Sequence, residues 1–170
     1  MTLIPLAARP VCAQSPVEES RLKAAFLYRF AQFVEWPADA TASAASVNLC
    51  VSGPGVSRAF LAELAAGETL AGKPVAVHDA TSDNVTGCHL LFLHTDDGPR
   101  RALLRRVGER PVLTVSDAPR FLDEGGIVLL RVVDNRVRFE IDAEAARRAS
   151  LRLNTQLLRL AAHVRRGEAR

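Results

Sequence analysis

The stretch SPVEESRLKAAFLYRFAQFVEWP, Ser15 to Pro37, decides the fold, because no other segment has comparable capacity to bury apolar surface. Ser15 suits an N-cap, Pro16 suits the first helical position, and Glu18 stands where its carboxylate can reach back to the cap. Leu22, Phe26, Phe30, Phe33 and Val34 recur at spacings of three and four, so a helix would carry them on one stripe that must be buried. Pro37 disfavours helical backbone at Trp36, which predicts a helix ending near Glu35. At roughly 20 residues it would be about 30 Å long, the width of a small domain. Five of the nine aromatic residues lie here: Phe26, Tyr28, Phe30, Phe33 and Trp36. They read as core rather than as a cofactor box.

Downstream of this helix the pattern alternates. Ala38 to Ser46 reads as a small-residue loop and Val47 to Ser52 as an apolar strand, which Gly53-Pro54-Gly55 turns into a helix over Val56 to Ala66. A turn at Leu70 to Lys73 leads to strand Pro74 to His78, and a polar loop to strand His89 to His94. Gly98 to Val107 is a basic helix with Leu103, Leu104 and Val107 inward, followed by strand Val112 to Val115. Ile127 to Val133 and Arg136 to Ile141 are separated only by Asp134-Asn135, the signature of an antiparallel hairpin. Asp142 caps a short helix through Ala149, and Asn154 caps a last one with Leu157, Leu160, Ala161 and Val164 on its stripe. The expected fold is therefore α/β: one domain, a mixed, mostly parallel sheet of about six strands, a C-terminal antiparallel hairpin, and helices on both faces.

Composition narrows the function classes. The 170 residues are 48% hydrophobic and 24% charged, and the net charge of +3 is no nucleic-acid signature. No apolar run approaches the ~20 residues of a membrane span, so direct membrane insertion is not expected. Residues 1 to 13, MTLIPLAARPVCA, read as the end of a secretory signal shorter than usual, with Val11 and Ala13 at the small-residue positions and the cut before Gln14. Residues 14 to 170 would then be the mature domain. Arg9, Pro10 and Val11 are a poor lipobox ahead of Cys12.

Candidate chemistry is sparse. Ser52-Gly53-Pro54-Gly55 sits where dinucleotide folds cradle a pyrophosphate, but Arg58 stands at the third glycine position and Pro54 lacks an amide donor. There is no G-x-S-x-G and no Ser, His, Asp set. His78, His89, His94, Cys88, Asp96 and Asp97 lack paired-ligand spacing for zinc. Neither an enzyme nor a cofactor is expected. In an exported chain Cys50 and Cys88, both at strand positions, are candidates for a disulfide, with two buried thiols as the alternative.

The run KAAFLYRFAQFVEWP resembles the opening motif of the YfiR family of small periplasmic proteins. The likeness continues in order through VNLCVSG, LAGKPVAV, GCHLLFL, PVLTVSD, GGIVLLRVVDNRVRFEID and AEAARRASLRLNTQLLRLA, covering nearly everything from Ser20 to Ala161. On this resemblance Phe26, Trp36, Pro37 and Phe139 are structural motif positions. Some members carry a second disulfide just before the hairpin, whereas Ser116 to Leu130 has no cysteine here. Asp142 replaces a common Asn, and Ser150 a frequent Gly at a helix end.

What the resemblance implies is a regulator that binds the periplasmic sensory domain of an inner-membrane diguanylate cyclase and holds it off, with relief from an OmpA-like outer-membrane lipoprotein. A small-ligand module feeding a sensor kinase or cyclase is the alternative, and a homodimer is left open. In the hairpin register set by Asp134-Asn135, Val128, Leu130, Val132, Val137, Phe139 and Ile141 form the core face. Ile127, Leu129, Arg131, Val133, Arg136 and Arg138 form the other, and Leu129, Arg131, Arg136 and Arg138 are the expected partner contacts. One of the last two helices covering that face, with Glu140 or Glu144 pairing the arginines, is the competing expectation.

Overall fold

The computed structural model describes residues 15–94 and 97–167, so the expected secretory segment and Asp96 lie outside it. Helix α1, Pro16–Gln32, opens with the capping box the sequence calls for: Glu18 N donates to Ser15 Oγ at 3.3 Å and Ser15 N to Glu18 Oε2 at 3.2 Å. It stops short of Glu35. Phe33 is the C-cap, and Val34–Glu35 form strand β1, paired antiparallel with β9, Arg152–Leu153. Asn154 N donates to Phe33 O at 2.9 Å, so a distant segment takes the carbonyl that another helical turn would have used. The buried ridge is also rotated from the expected stripe. Lys23, Ala24, Leu27, Phe30 and Ala31 are buried, whereas Leu22, Phe26 and Phe33 are half-buried on its flank. Helix α1 packs against α3, Arg58–Ala65, and Ser57 N donates to Ser20 O at 3.1 Å.

The main sheet has eight strands in the order β10-β8-β7-β6-β5-β2-β4-β3. Six are the expected ones: β2 Val47–Ser52, β4 Lys73–Asp79, β5 Leu90–Leu93, β6 Leu113–Ser116, β7 Val128–Val133 and β8 Arg136–Asp142. The additions are β3, Thr69–Leu70, and β10, His163–Arg165. From β7 through β4 all neighbours are parallel, and β7 with β8 forms the antiparallel hairpin. The last helix is shorter than expected. It spans α6, Thr155–Leu160, after which the chain runs parallel to β8; Leu160 is left 68% exposed and Val164 pairs with Ile141.

Alternation along the strands builds two cores. Val47, Leu49 and Val51 of β2, with Leu90 and Phe92 of β5, pack beneath α1 and α3, and the same core takes in Ala145 of α5, Ala143–Arg148, and Leu157 of α6. Cys50, Leu91, Leu93 and Leu129 point the other way, against Leu103 and Val107 of α4, Asp97–Val107, and against Phe121 and Leu122. A short α2, Ala38–Ala42, occupies the expected loop.

Candidate functional site

Asp134 and Asn135 both adopt left-handed backbone, φ 50° and 62°, which gives the hairpin a two-residue turn of matching twist. The register is the expected one, with Val133 opposite Arg136, Val132 opposite Val137 and Arg131 opposite Arg138. Neighbouring strands hold only its base. β6 pairs with Val128 and Leu129, and β10 pairs with Glu140 to Asp142. Residues 130–139 therefore project past the sheet without a strand on either side among the described residues.

On the outer face of this projection Arg131, Arg136 and Arg138 are exposed, and Val133 is 50% exposed. Leu129 is not part of that surface. It is 2% exposed in the second core, because the segment with Phe121 and Leu122 covers the base of the hairpin, as α4 covers the strands beside it. The anticipated acid pairing is partly realised. Arg131 Nη2 lies 3.3 Å from Glu140 Oε1, whereas Glu144 pairs within its own helix with Arg147 and Arg148. Neither late helix covers the arginines, since Ala145 of α5 and Leu157 of α6 pack into the opposite core. Arg136 and Arg138 make no ion pair among the described residues.

Beside the hairpin lies a groove that sequence reasoning did not assemble. The Phe30 and Phe139 rings meet edge-on at 5.0 Å between centroids, and Phe26 packs against both at 6.1 and 6.5 Å. Together with Phe33, Val137 and Leu157 they line a cavity of about 480 Å³, rimmed by Arg29, Arg138 and Leu160. Its parts come from α1, β8 and α6, and only the flanking position of Phe26 and Phe33 on α1 could have signalled it.

Other motif positions make contacts within the fold. Trp36 donates its indole N–H to His89 O at 2.9 Å and stands edge-on to the His89 ring, and Pro37 is the N-cap of α2. Cys50 and Cys88 are joined as a disulfide with Cα atoms 6.0 Å apart. The histidines are separate. His78 meets Asn48 Oδ1 at 3.2 Å, His89 accepts from Asn48 N, and His94 lies 3.4 Å from Asp117. No group of three His, Cys, Asp or Glu side chains able to hold a metal occurs among the described residues.

The glycine turn after β2 is filled from within. A Cβ on Gly55 would fall 2.4 Å from His94 Nδ1, and one on Gly53 2.7 Å from His94 Cβ, so the imidazole occupies the cradle a phosphate would need. Behind it the 6%-exposed Lys23 reaches Asp117 at 2.8 Å and Glu19 at 2.7 Å. Burial pulls the Lys23 ammonium's pKa down, but hydrogen bonds to the two carboxylates more than offset this and leave it above its ordinary value.

Comparison with known proteins agrees with this architecture. A chain described as a conserved domain protein from Vibrio cholerae O1 biovar El Tor superposes with a TM-score of 0.53 at 12% identity, over 84% of this chain and 60% of that one. That likeness bears on the fold alone, and this chain spans about 60% of the length of its solved counterpart. No curated protein matches. The YfiR/HmsC-like family model matches residues 20–162, nearly the whole described domain, and the chain belongs to that family.

Proposed function

We propose that this protein is a periplasmic binding regulator that represses an inner-membrane diguanylate cyclase by occupying its periplasmic sensory domain, so lowering cyclic-di-GMP. Family membership supports the signalling role. The observation that carries the binding role is the projecting hairpin. A two-residue turn presents Arg136 and Arg138, which have no acidic partner among the described residues, beside the exposed Val133, a mixed basic and apolar surface suited to a carboxylate-bearing protein. The disulfide suits an oxidising compartment, and the mature chain should begin near Gln14. An OmpA-like lipoprotein in the outer membrane would relieve repression by competing for the regulator.

The test is charge reversal on the hairpin. Arg136→Glu and Arg138→Glu should fold normally, since both side chains are exposed, yet raise cyclic-di-GMP and lose co-purification with the cyclase. Full repression by both folded variants would remove the hairpin from the interface.

A further inference from the structure

We propose that the free edge of β8 and the aromatic groove beside it form a strand-addition site for an extended protein segment in which apolar and acidic residues alternate. The proposal rests on the regulator reading above and names how the partner would be gripped. The first observation is an open backbone edge. Phe139 O points away from β7 and accepts from Ala162 N at 2.8 Å. Backbone groups two residues apart on a strand face the same edge, so the N–H and C=O of Val137 are directed there as well. β10 pairs only from Glu140 onward, and no hydrogen bond reaches Val137 on this edge among the described residues. Unpaired ladder groups of this kind are templates for another strand.

The second observation is the chemistry on the two sides of that edge. Val137 and Phe139 point to the groove, whose floor is aromatic and whose rim includes the 68%-exposed Leu160. By alternation Arg136 and Arg138 leave the strand on the other face, and Arg138 also reaches the groove rim, which it shares with Arg29. Among the described residues the groove lining contains no acidic one. An added strand would send alternate side chains to these two environments. Those over the groove must be apolar, and those beside Arg136 and Arg138 gain by being carboxylates. A peptide supplies the backbone ladder, the apolar anchors and the charge together.

The probe is an acetylated heptapeptide of alternating valine and glutamate, titrated into the oxidised full chain and followed by amide exchange and chemical shift. A valine and lysine peptide, and one with the valine and glutamate in two blocks, serve as comparisons. Binding of the alternating acidic peptide with new protection at the Val137 amide is expected. Affinity should fall about tenfold or more in Arg138→Glu and in Leu160→Asp, both surface changes that leave the core untouched. Equal binding of the lysine or block peptide would overturn the proposal, as would binding without protection at Val137. Protection of Val137 by raising the protein concentration alone would make the occupant a second copy and overturn it too. The regulator reading fails separately, if deleting the chain leaves cyclic-di-GMP unchanged, whatever the peptide does.

Discussion

His89 is 5% exposed, yet both ring nitrogens are satisfied. Nδ1 accepts from Asn48 N at 3.0 Å, which leaves the proton on Nε2, 3.2 Å from Ala40 O. Both roles suit the neutral ring, and burial holds its pKa below the ordinary value of 6.5, against a smaller upward pull from Ala40. The unfolded chain therefore binds a proton that the folded ring refuses. Stability from this site is fully present above about pH 6.5 and declines as pH falls through the depressed folded value. Thermal melts of wild type and His89→Gln across pH 7.5 to 5 should diverge, with the wild type losing more on acidification; parallel curves would refute the assignment. A sequence cannot assign such a tautomer. It shows His89 at a strand start, but not that Trp36 and Asn48 converge on it. Lys23 is a similar case: a charge on the core side of α1 makes sense only once Asp117, far along the chain, is beside it.

At the scale of elements, what was legible followed local rules. The capping box of α1, the Asp142 and Asn154 caps and the hairpin register all depend on residues a few positions apart. The faces of the hairpin followed from alternation, which correctly exposed Arg131, Arg136 and Arg138. Leu129 did not follow, because its cover comes from the segment at Phe121 and Leu122 rather than from the hairpin itself. Strands β1, β3, β9 and β10 are two or three residues long and have no periodicity of their own; each exists through its pairing, β1 with β9, β3 with β4 and β10 with β8. Ser150 shows local reading at its most specific. Its φ of 57° after α5 is the left-handed conformation that favours glycine, and Leu151 N closes the motif on Ala146 O at 2.9 Å. Ser150→Gly should therefore stabilise by about 0.5 to 1 kcal/mol, because the side chain's strain is removed at an exposed site. An unchanged or lower denaturation midpoint would show that the strain is relieved elsewhere.

For the whole molecule, the Cys50–Cys88 link decides how far the unfolded chain can expand. It joins β2 to a position two residues before β5, its neighbour in the sheet, and closes a loop of sequence separation 38 that contains α3, β3 and β4. Both cysteines are nearly fully buried in the second core, where Leu91, Leu93 and Val85 hold them whether or not the bond is present. Reduction should therefore leave the native fold in place and act on the other side of the equilibrium. Loop-closure entropy for a link of this span is about 4 kcal/mol. That corresponds to a fall in Tm of roughly 8 to 16 °C for a domain of this size. Because the reduced unfolded chain exposes more surface, the denaturant slope should rise as the midpoint drops. Cys50→Ala with Cys88→Ala should reproduce the fall, together with a smaller loss from the vacated sulfur volume. If reduced and oxidised proteins melted together with equal slopes, the sheet alone would be constraining that loop, and residual pairing of β2 with β4 in the unfolded chain would be the place to look.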